Sequence, residues 1–405
     1  MEKIGKRHSK NKLRFTVIIL LNAIFALPLF SKPESTIWNQ AELYMKPEYR
    51  IISKQNGVYG IIYKGAMYKG ARSEVFAYYS TPGILKGDTT IDKNLPAVVC
   101  VHGGGGKAYS QWAKSWAQKG FAAISMDLRG YGPDSLRLAN GFVENNFKTP
   151  FFTCYDDFTS DWFYQAVANV VYAHSLISSF KEVNPQKTAI TGVSWGGIIT
   201  TLVAGLDNRF KVACPVYGCG LLYKSGSMAP QIARQPEFAQ QRWKEQYDPS
   251  VYVGNAQIPI LFVNGTNDNH FFLDQFSDTY KLVKNRDISL RVGLKHGHGP
   301  AWQLPEVQNY IAAALKVSNT TTPGKVTEIK VTNKKIIAIV SNNVNKAFLN
   351  YTLSNNLSPK SEWIEQAISI DGNKIDCEIV PDCKYWFLSV EDQAKNRTST
   401  EIYSN

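Results

Sequence analysis

The segment Thr188 to Thr201 reads TAITGVSWGGIITT, and inside it Gly192-Val193-Ser194-Trp195-Gly196 is a G-x-S-x-G set between a β-branched run and an apolar helical one. That spacing suits acyl transfer. Glycines on both sides leave room for a sharp turn that lifts a serine hydroxyl off the end of a sheet, and the helix starting there points its amide dipole at the hydroxyl. A serine hydroxyl is a weak nucleophile until a base takes its proton, so a histidine backed by an acid must follow later in the chain.

Six histidines allow an elimination. His8 lies in the N-terminal leader, His102 opens a glycine loop, and His174 falls within a helical pattern that predicts a structural role. His270, His296 and His298 remain. With the nucleophile at such a turn, the acid is expected after a later strand and the histidine after the last one. Ile258 to His270 (IPILFVNGTNDNH) runs from an apolar strand into a polar turn that presents Asp268, the predicted acid, with Asp274 as the fallback. His270 is too close to Asp268 to serve as its partner and is expected to shape the loop. Leu290 to Trp302 (LRVGLKHGHGPAW) holds the base. His298, further past the strand and followed by Gly299, is preferred, and His296 is the alternative. A metal site made of Asp268, His270, His296 and His298 is chemically conceivable, since imidazole and carboxylate are zinc ligands, but it would leave Ser194 and its turn without a purpose.

An acyl-transfer oxyanion needs amide donors fixed in advance. The residue after the nucleophile, Trp195, is expected to supply one. The loop His102-Gly103-Gly104-Gly105-Gly106 is expected to supply the other, at Gly104. A phosphate cradle would require a G-K-[ST] ending, whereas Lys107 is followed by Ala108 and Tyr109. This chemistry requires no metal or organic cofactor.

The elements that must hold these groups read as an α/β layer. Short apolar strands are predicted at Ala97–Val101, Ala122–Met126, Thr188–Gly192, Val212–Val216, Ile258–Val263 and Ser289–Leu294. Helical patterns alternate with them at 108–119, 160–180, 196–206, 274–284 and 303–316, the signature of a parallel sheet with crossover helices. Strand-like runs at Val58–Tyr63 and Glu74–Tyr79 precede the alternation. Two long aromatic connections, 129–160 and 217–250, follow strand ends, where ligand pockets are built. Beyond Pro323 the segments become short, β-branched and broken by Asn, Gly, Asp and Ser, predicting a sandwich-like all-β module over 324–405.

Composition bounds the remaining readings. The 405 residues are 44% hydrophobic and 12% aromatic, which excludes disorder as the main state. The net charge of +12 invites an anionic partner. However, six Lys and Arg and one Glu lie in residues 1–31, ahead of or beside the apolar run Phe15–Phe30, leaving +7 elsewhere. A basic n-region followed by an apolar stretch broken at Asn22 and Pro28 predicts a signal peptide over 1–31, hence a secreted or periplasmic protein that meets the membrane only in transit. With no basic run interleaved with aromatics, nucleic-acid binding is not expected. Cys100 reads as a buried small hydrophobe. Cys214 with Cys219, and Cys377 with Cys383, have spacings that permit local disulfides in an oxidising compartment but do not suit zinc.

HGGGG at 102–106, MDLRGYG at 126–132, GVSWGG at 192–197, YGCG at 217–220, NGTND at 264–268 and HGHGP at 296–300 together resemble the α/β-hydrolase superfamily. Within it the chain is similar to exported bacterial acetyl xylan esterases and dienelactone-hydrolase-like proteins, over about residues 40–318. The resemblance implies an α/β-hydrolase domain at 32–320, with Ser194 as nucleophile, Asp268 as acid, His298 as base and oxyanion donors at Trp195 and the glycine loop. It implies hydrolysis of small-molecule or oligosaccharide esters through an acyl-enzyme. A prolyl-oligopeptidase-like peptidase shares the same core, and a catalytically silent carbohydrate-binding or surface protein is the non-enzymatic alternative. One position departs from the acetyl xylan esterase pattern: those proteins generally carry Gln after the nucleophile, and this chain has Trp195.

Overall fold

The strands that hold the predicted chemistry lie side by side in the middle of one large sheet. The structure, a computed structural model, describes residues 36–143, 151–332 and 334–405; the predicted leader at 1–31 lies outside them. β1 (Tyr49–Gln55), β2 (Val58–Tyr68) and β3 (Ala71–Ser80) form an antiparallel entry, followed by β4 (Leu95–Val101), β5 (Ala122–Met126), β6 (Val183–Val193), β7 (Val212–Val216), β8 (Ile260–Gly265) and β9 (Arg286–Arg291). Their order across the sheet is β1-β2-β3-β5-β4-β6-β7-β8-β9. From β5 to β9 every pairing is parallel. β5, β7 and β8 are buried along their whole length, as their unbroken apolar runs require for a sheet covered on both faces.

The predicted helices form where the apolar periodicity placed them: α1 (Ser110–Ala117), α2 (Trp162–Ser178), α3 (Trp195–Leu206), α4 (Leu273–Lys281), and α5 (Pro305–Ala314). α2 and α3 are buried around nearly their whole circumference. α3 can lie close to the sheet because Gly196 and Gly197 occupy its first turn. A Cβ on Gly196 would stand 2.0 Å from the Val101 carbonyl oxygen, and one on Gly192 2.1 Å from that of Gly196.

The C-terminal residues form the expected antiparallel β region, arranged as two sheets. One consists of β10 (Val326–Thr332), β11 (Lys335–Val340) and β14 (Lys374–Glu378). The other contains β12 (Val344–Thr352), β13 (Ile364–Ile368), β15 (Tyr385–Asp392), β16 (Arg397–Ser399) and β17 (Tyr403–Ser404). Between them lies a separate apolar cluster that includes Ile336, Leu349, Trp386 and Leu388. The second sheet is continuous with the catalytic one. β16 pairs antiparallel with β9 through Ser399 and Ile288, and the Leu290 N–H donates to Ser399 Oγ at 3.1 Å. Trp363 and Phe387 are buried in the main core. An exposed β9 would be an open template for another strand, and this arrangement covers it.

The six cysteines are all free thiols. Neither local disulfide forms. Cys214 sits on β7 and Cys219 in the turn beyond it, while Cys377 is on β14 and Cys383 leads into β15 of the other sheet.

Candidate active site

Ser194 occupies the turn between β6 and α3 with φ 60° and ψ −119°, a conformation that L-residues avoid. The surrounding backbone holds it there. Its N–H donates to the Val216 carbonyl at 2.9 Å, and its own carbonyl accepts the Ile198 N–H at 2.9 Å. Strain maintained by packing on both sides is what a nucleophile elbow requires.

Asp268 follows β8 in a tight turn and is fully buried at its side chain. Oδ1 accepts the backbone N–H groups of His270 (2.8 Å) and Phe271 (2.9 Å), which leaves Oδ2 directed at one partner. That partner is His296, whose Nδ1 lies 2.7 Å away. A carboxylate can only accept, so the proton sits on Nδ1 and the Nε2 lone pair is free to take a proton from elsewhere. The ring packs at a 34° tilt, 4.7 Å from that of Tyr217, the residue after Val216, and Tyr217 Oη donates to the Lys295 carbonyl at 2.8 Å. His296 is therefore fixed over the backbone that also anchors Ser194. The histidine side chain remains 23% exposed.

This geometry corrects the preference for His298, which does not reach Asp268. β9 ends at Arg291, and the turn that follows places His296 opposite the acid. His298 is carried on into the short helix His298–Trp302, where it packs beside Tyr109 (5.1 Å) and Trp302 (5.7 Å). Its Nε2 accepts the Gly103 N–H at 2.9 Å. Burial, with His102 and His296 nearby, lowers its pKa to about 4. Asp274, the fallback acid, is exposed at the start of α4. His270 lines the acid loop, its ring 4.8 Å from that of His296 and its Nδ1 3.3 Å from Ser227 Oγ. His174 is structural: its two nitrogens engage Asp207 (2.8 Å) and Thr188 Oγ1 (2.9 Å) in the core. Among the described residues no group of three or more His, Cys, Asp or Glu is arranged to hold a metal ion.

The glycine loop after β4 lies beside the elbow. A Cβ on Gly103 would meet the Val193 carbonyl at 3.1 Å, and one on Gly104 would strike Trp195 Cδ1 at 2.5 Å and Phe151 Cζ at 2.9 Å. His102 is buried and neutral. Nε2 accepts the Leu128 N–H at 3.0 Å, so Nδ1 carries the proton and donates to the Gly103 carbonyl at 2.6 Å. Burial lowers its pKa to about 4.

Aromatic side chains of the two long connections, together with Trp162 at the start of α2, form a wall around Trp195. Phe151, Phe152, Trp162 and Trp243 lie 4.8, 5.2, 5.3 and 6.2 Å from its ring. A buried polar node ties the connections together: Asp161 accepts from Arg242 Nη1 (2.8 Å), Tyr247 Oη (2.6 Å) and the Tyr155 N–H (2.7 Å). On the other side, the Asn267 amide next to Asp268 donates to the carbonyls of Pro359 (3.0 Å) and Ser361 (2.9 Å) in the C-terminal region. Sequence reasoning missed Tyr217 and Asn267. Tyr217 and Asn267 lie within the YGCG and NGTND motifs, but neither motif assigns them a role.

Residues 38–223 match the acetyl xylan esterase family model, and residues 154–314 match the prolyl oligopeptidase family model. An uncharacterized peptidase of Bacillus subtilis (strain 168) is 23% identical over 222 residues, covering 50% of this chain and 30% of that protein. The acylamino-acid-releasing enzyme of Rattus norvegicus is 22% identical over 247 residues, covering 55% and 31%. The chain thus matches about a third of the length of these curated relatives. Two solved structures share the fold. Acetyl xylan esterase from Paenibacillus sp. R4 has a TM-score of 0.53 at 19% identity, covering 67% of this chain and 91% of that one. Acetyl xylan esterase 1 from Thermoanaerobacterium sp. JW/SL YS485 has a TM-score of 0.50 at 17% identity, covering 69% and 93%.

The sheet order, the strained serine elbow and these matches give the chain an α/β-hydrolase fold that resembles the acetyl xylan esterase and prolyl oligopeptidase families. The two family models overlap on the elbow. The esterase model includes the glycine loop, and the peptidase model extends over the acid and histidine turns.

Proposed function

We propose that the protein is an exported serine hydrolase that cleaves carboxylic esters, with acylated carbohydrates as its substrate class. The Asp268–His296 pair, packed against Tyr217 beside the Ser194 elbow, carries this reading. Ser194 Oγ attacks the acyl carbonyl as His296 Nε2 takes its proton. The tetrahedral intermediate expels the alcohol, which receives that proton, and water repeats the sequence to release the acid and restore Ser194. Asp268 holds the imidazole tautomer and offsets the imidazolium charge. The oxyanion is assigned to the N–H groups of Trp195 and Gly104, since the Gly103 N–H is already engaged by His298. The ester reading is supported by the esterase model over 38–223 and by Trp195 and Phe151, whose rings fill the space beside Gly104 and favour a small acyl group. Export is supported by the basic and apolar character of residues 1–31.

A peptidase reading stands beside it, favoured by the prolyl oligopeptidase model, which spans Ser194, Asp268 and His296 together. A fluorophosphonate probe should label the wild type and spare Ser194→Ala. Acetylated oligosaccharides and aryl acetates should turn over faster than peptide amides. Preferential hydrolysis of amides would establish the second reading. A folded wild type that neither labels nor turns over any of these substrates would remove both and leave a non-catalytic surface protein.

A further inference from the structure

We infer that His298 is a positioning residue for the oxyanion loop, acting as one jaw of a two-histidine clamp on Gly103. The inference rests on the proposed serine-hydrolase reading and concerns how its oxyanion donor is aimed. The Gly103 Cα joins two peptide planes, and the structure fixes each of them. In the first, the N–H of Gly103 donates to His298 Nε2 at 2.9 Å. In the second, the Gly103 carbonyl accepts from His102 Nδ1 at 2.6 Å and from the Gly106 N–H at 2.9 Å. That second plane also contains the Gly104 N–H. In a trans peptide the N–H points opposite to the carbonyl, so pinning the Gly103 oxygen fixes the direction in which Gly104 presents its donor. A four-glycine run has more backbone freedom than any other sequence and would not hold that direction unaided.

Both jaws must be neutral, because each uses Nε2 as an acceptor from a backbone amide: Leu128 N–H for His102 and Gly103 N–H for His298. The groups facing His298 are compatible with this. His102 and His296 disfavour a further positive charge, and Tyr109 and Trp302 present rings to the imidazole. His298 thus accepts a hydrogen bond throughout the cycle, while His296, two residues earlier, exchanges the proton. A preorganised donor is aimed at charge that appears only in the transition state, so loosening it should lower kcat and leave substrate binding nearly unchanged.

The test compares His298→Phe, which fills the space without an acceptor, with His298→Gln, whose Oε1 restores one. Turnover of p-nitrophenyl acetate, affinity for an arylboronic acid as a transition-state mimic, and fluorophosphonate labelling of Ser194 are measured on the full chain. His298→Phe is expected to lose about 10–100-fold in kcat, somewhat less than deletion of an oxyanion donor, with boronate affinity falling in parallel and KM nearly unchanged. His298→Gln is expected to recover most of the loss. If His298→Phe does not fold, His298→Asn, too short to reach Gly103, takes its place in the same comparison. Wild-type kcat and boronate affinity in the acceptor-free variant would overturn the inference, as would a change in KM alone. If wild-type Ser194 itself resists labelling, the serine-hydrolase reading fails first, and the two failures are thereby distinguished.

Discussion

Replacing Asp268 with asparagine separates the orienting role of this carboxylate from its structural one. Asp268 accepts three hydrogen bonds: two from the backbone of His270 and Phe271 and one from His296 Nδ1. In Asp268→Asn, Oδ1 can keep both backbone donors, so the buried turn survives at a cost of about 1–2 kcal/mol. The new amide nitrogen, however, takes the place of Oδ2 and can only donate. His296 Nδ1 must then become an acceptor, its proton moves to Nε2, and the nitrogen proposed to take the Ser194 proton can no longer act as a base. The expected loss in kcat is about 10⁴-fold, or roughly 5.5 kcal/mol of transition-state stabilisation. Asp268→Ala differs in kind: it leaves the His270 and Phe271 N–H groups without their acceptor, at roughly 1–3 kcal/mol for the buried Phe271 one, and should lower stability as well as turnover. Stopped-flow acylation with p-nitrophenyl acetate, together with thermal melts, measures both quantities. An Asn variant that keeps more than a tenth of wild-type kcat would refute the argument that Asp268 sets the tautomer of His296.

Four further outcomes are expected. Ser194→Gly should abolish labelling and raise stability by about 1–2 kcal/mol in denaturant unfolding, because glycine adopts φ 60° without strain. Arg242→Met strands the buried Asp161 carboxylate and should cost about 3–5 kcal/mol by the same measurement, with burial already raising the pKa of that acid. The share of stability that comes from neutral His102 and His298 should fall as pH drops from about 6.5 to about 4, while Asp127, whose pKa burial raises to about 6, works in the opposite direction over the same range. Over that range an unfolded histidine takes up a proton that His102 and His298, each with a pKa lowered to about 4, still refuse; for His102 the loss approaches about 3 kcal/mol and is read as unfolding free energy against pH. Trp195→Ala opens the space beside Gly104 and should raise the rate on p-nitrophenyl butyrate relative to acetate.

The central strands are legible in the sequence because each is a continuous apolar run, such as AVVCV or AAISM, that only a buried parallel strand accommodates. Ser194 is legible because its strand, glycines and helix are contiguous, and Asp268 because a polar turn follows a buried strand. The choice between His296 and His298 is not local. It depends on where β9 ends and on the Tyr217 ring, 79 positions earlier, that receives the imidazole. The aromatic connections are visible as composition, but the assembly of Phe151, Trp162 and Trp243 around Trp195 is set by tertiary packing. The junction of β16 with β9 leaves no recognisable pattern, because it rests on one register pair and a serine hydroxyl.

The contacts of Asn267 define the smallest portable piece of this protein. The family resemblance ends at residue 314, yet the neighbour of the acid is held by carbonyls at 359 and 361, and the strand leading to His296 is flanked by residue 399. A gene fragment trimmed to the end of homology would keep every side chain proposed for catalysis while discarding the scaffold behind two of them. The last eighty or so residues therefore belong to the reaction centre's foundation, and engineering that treats them as an exchangeable appendage would redesign the active site unintentionally.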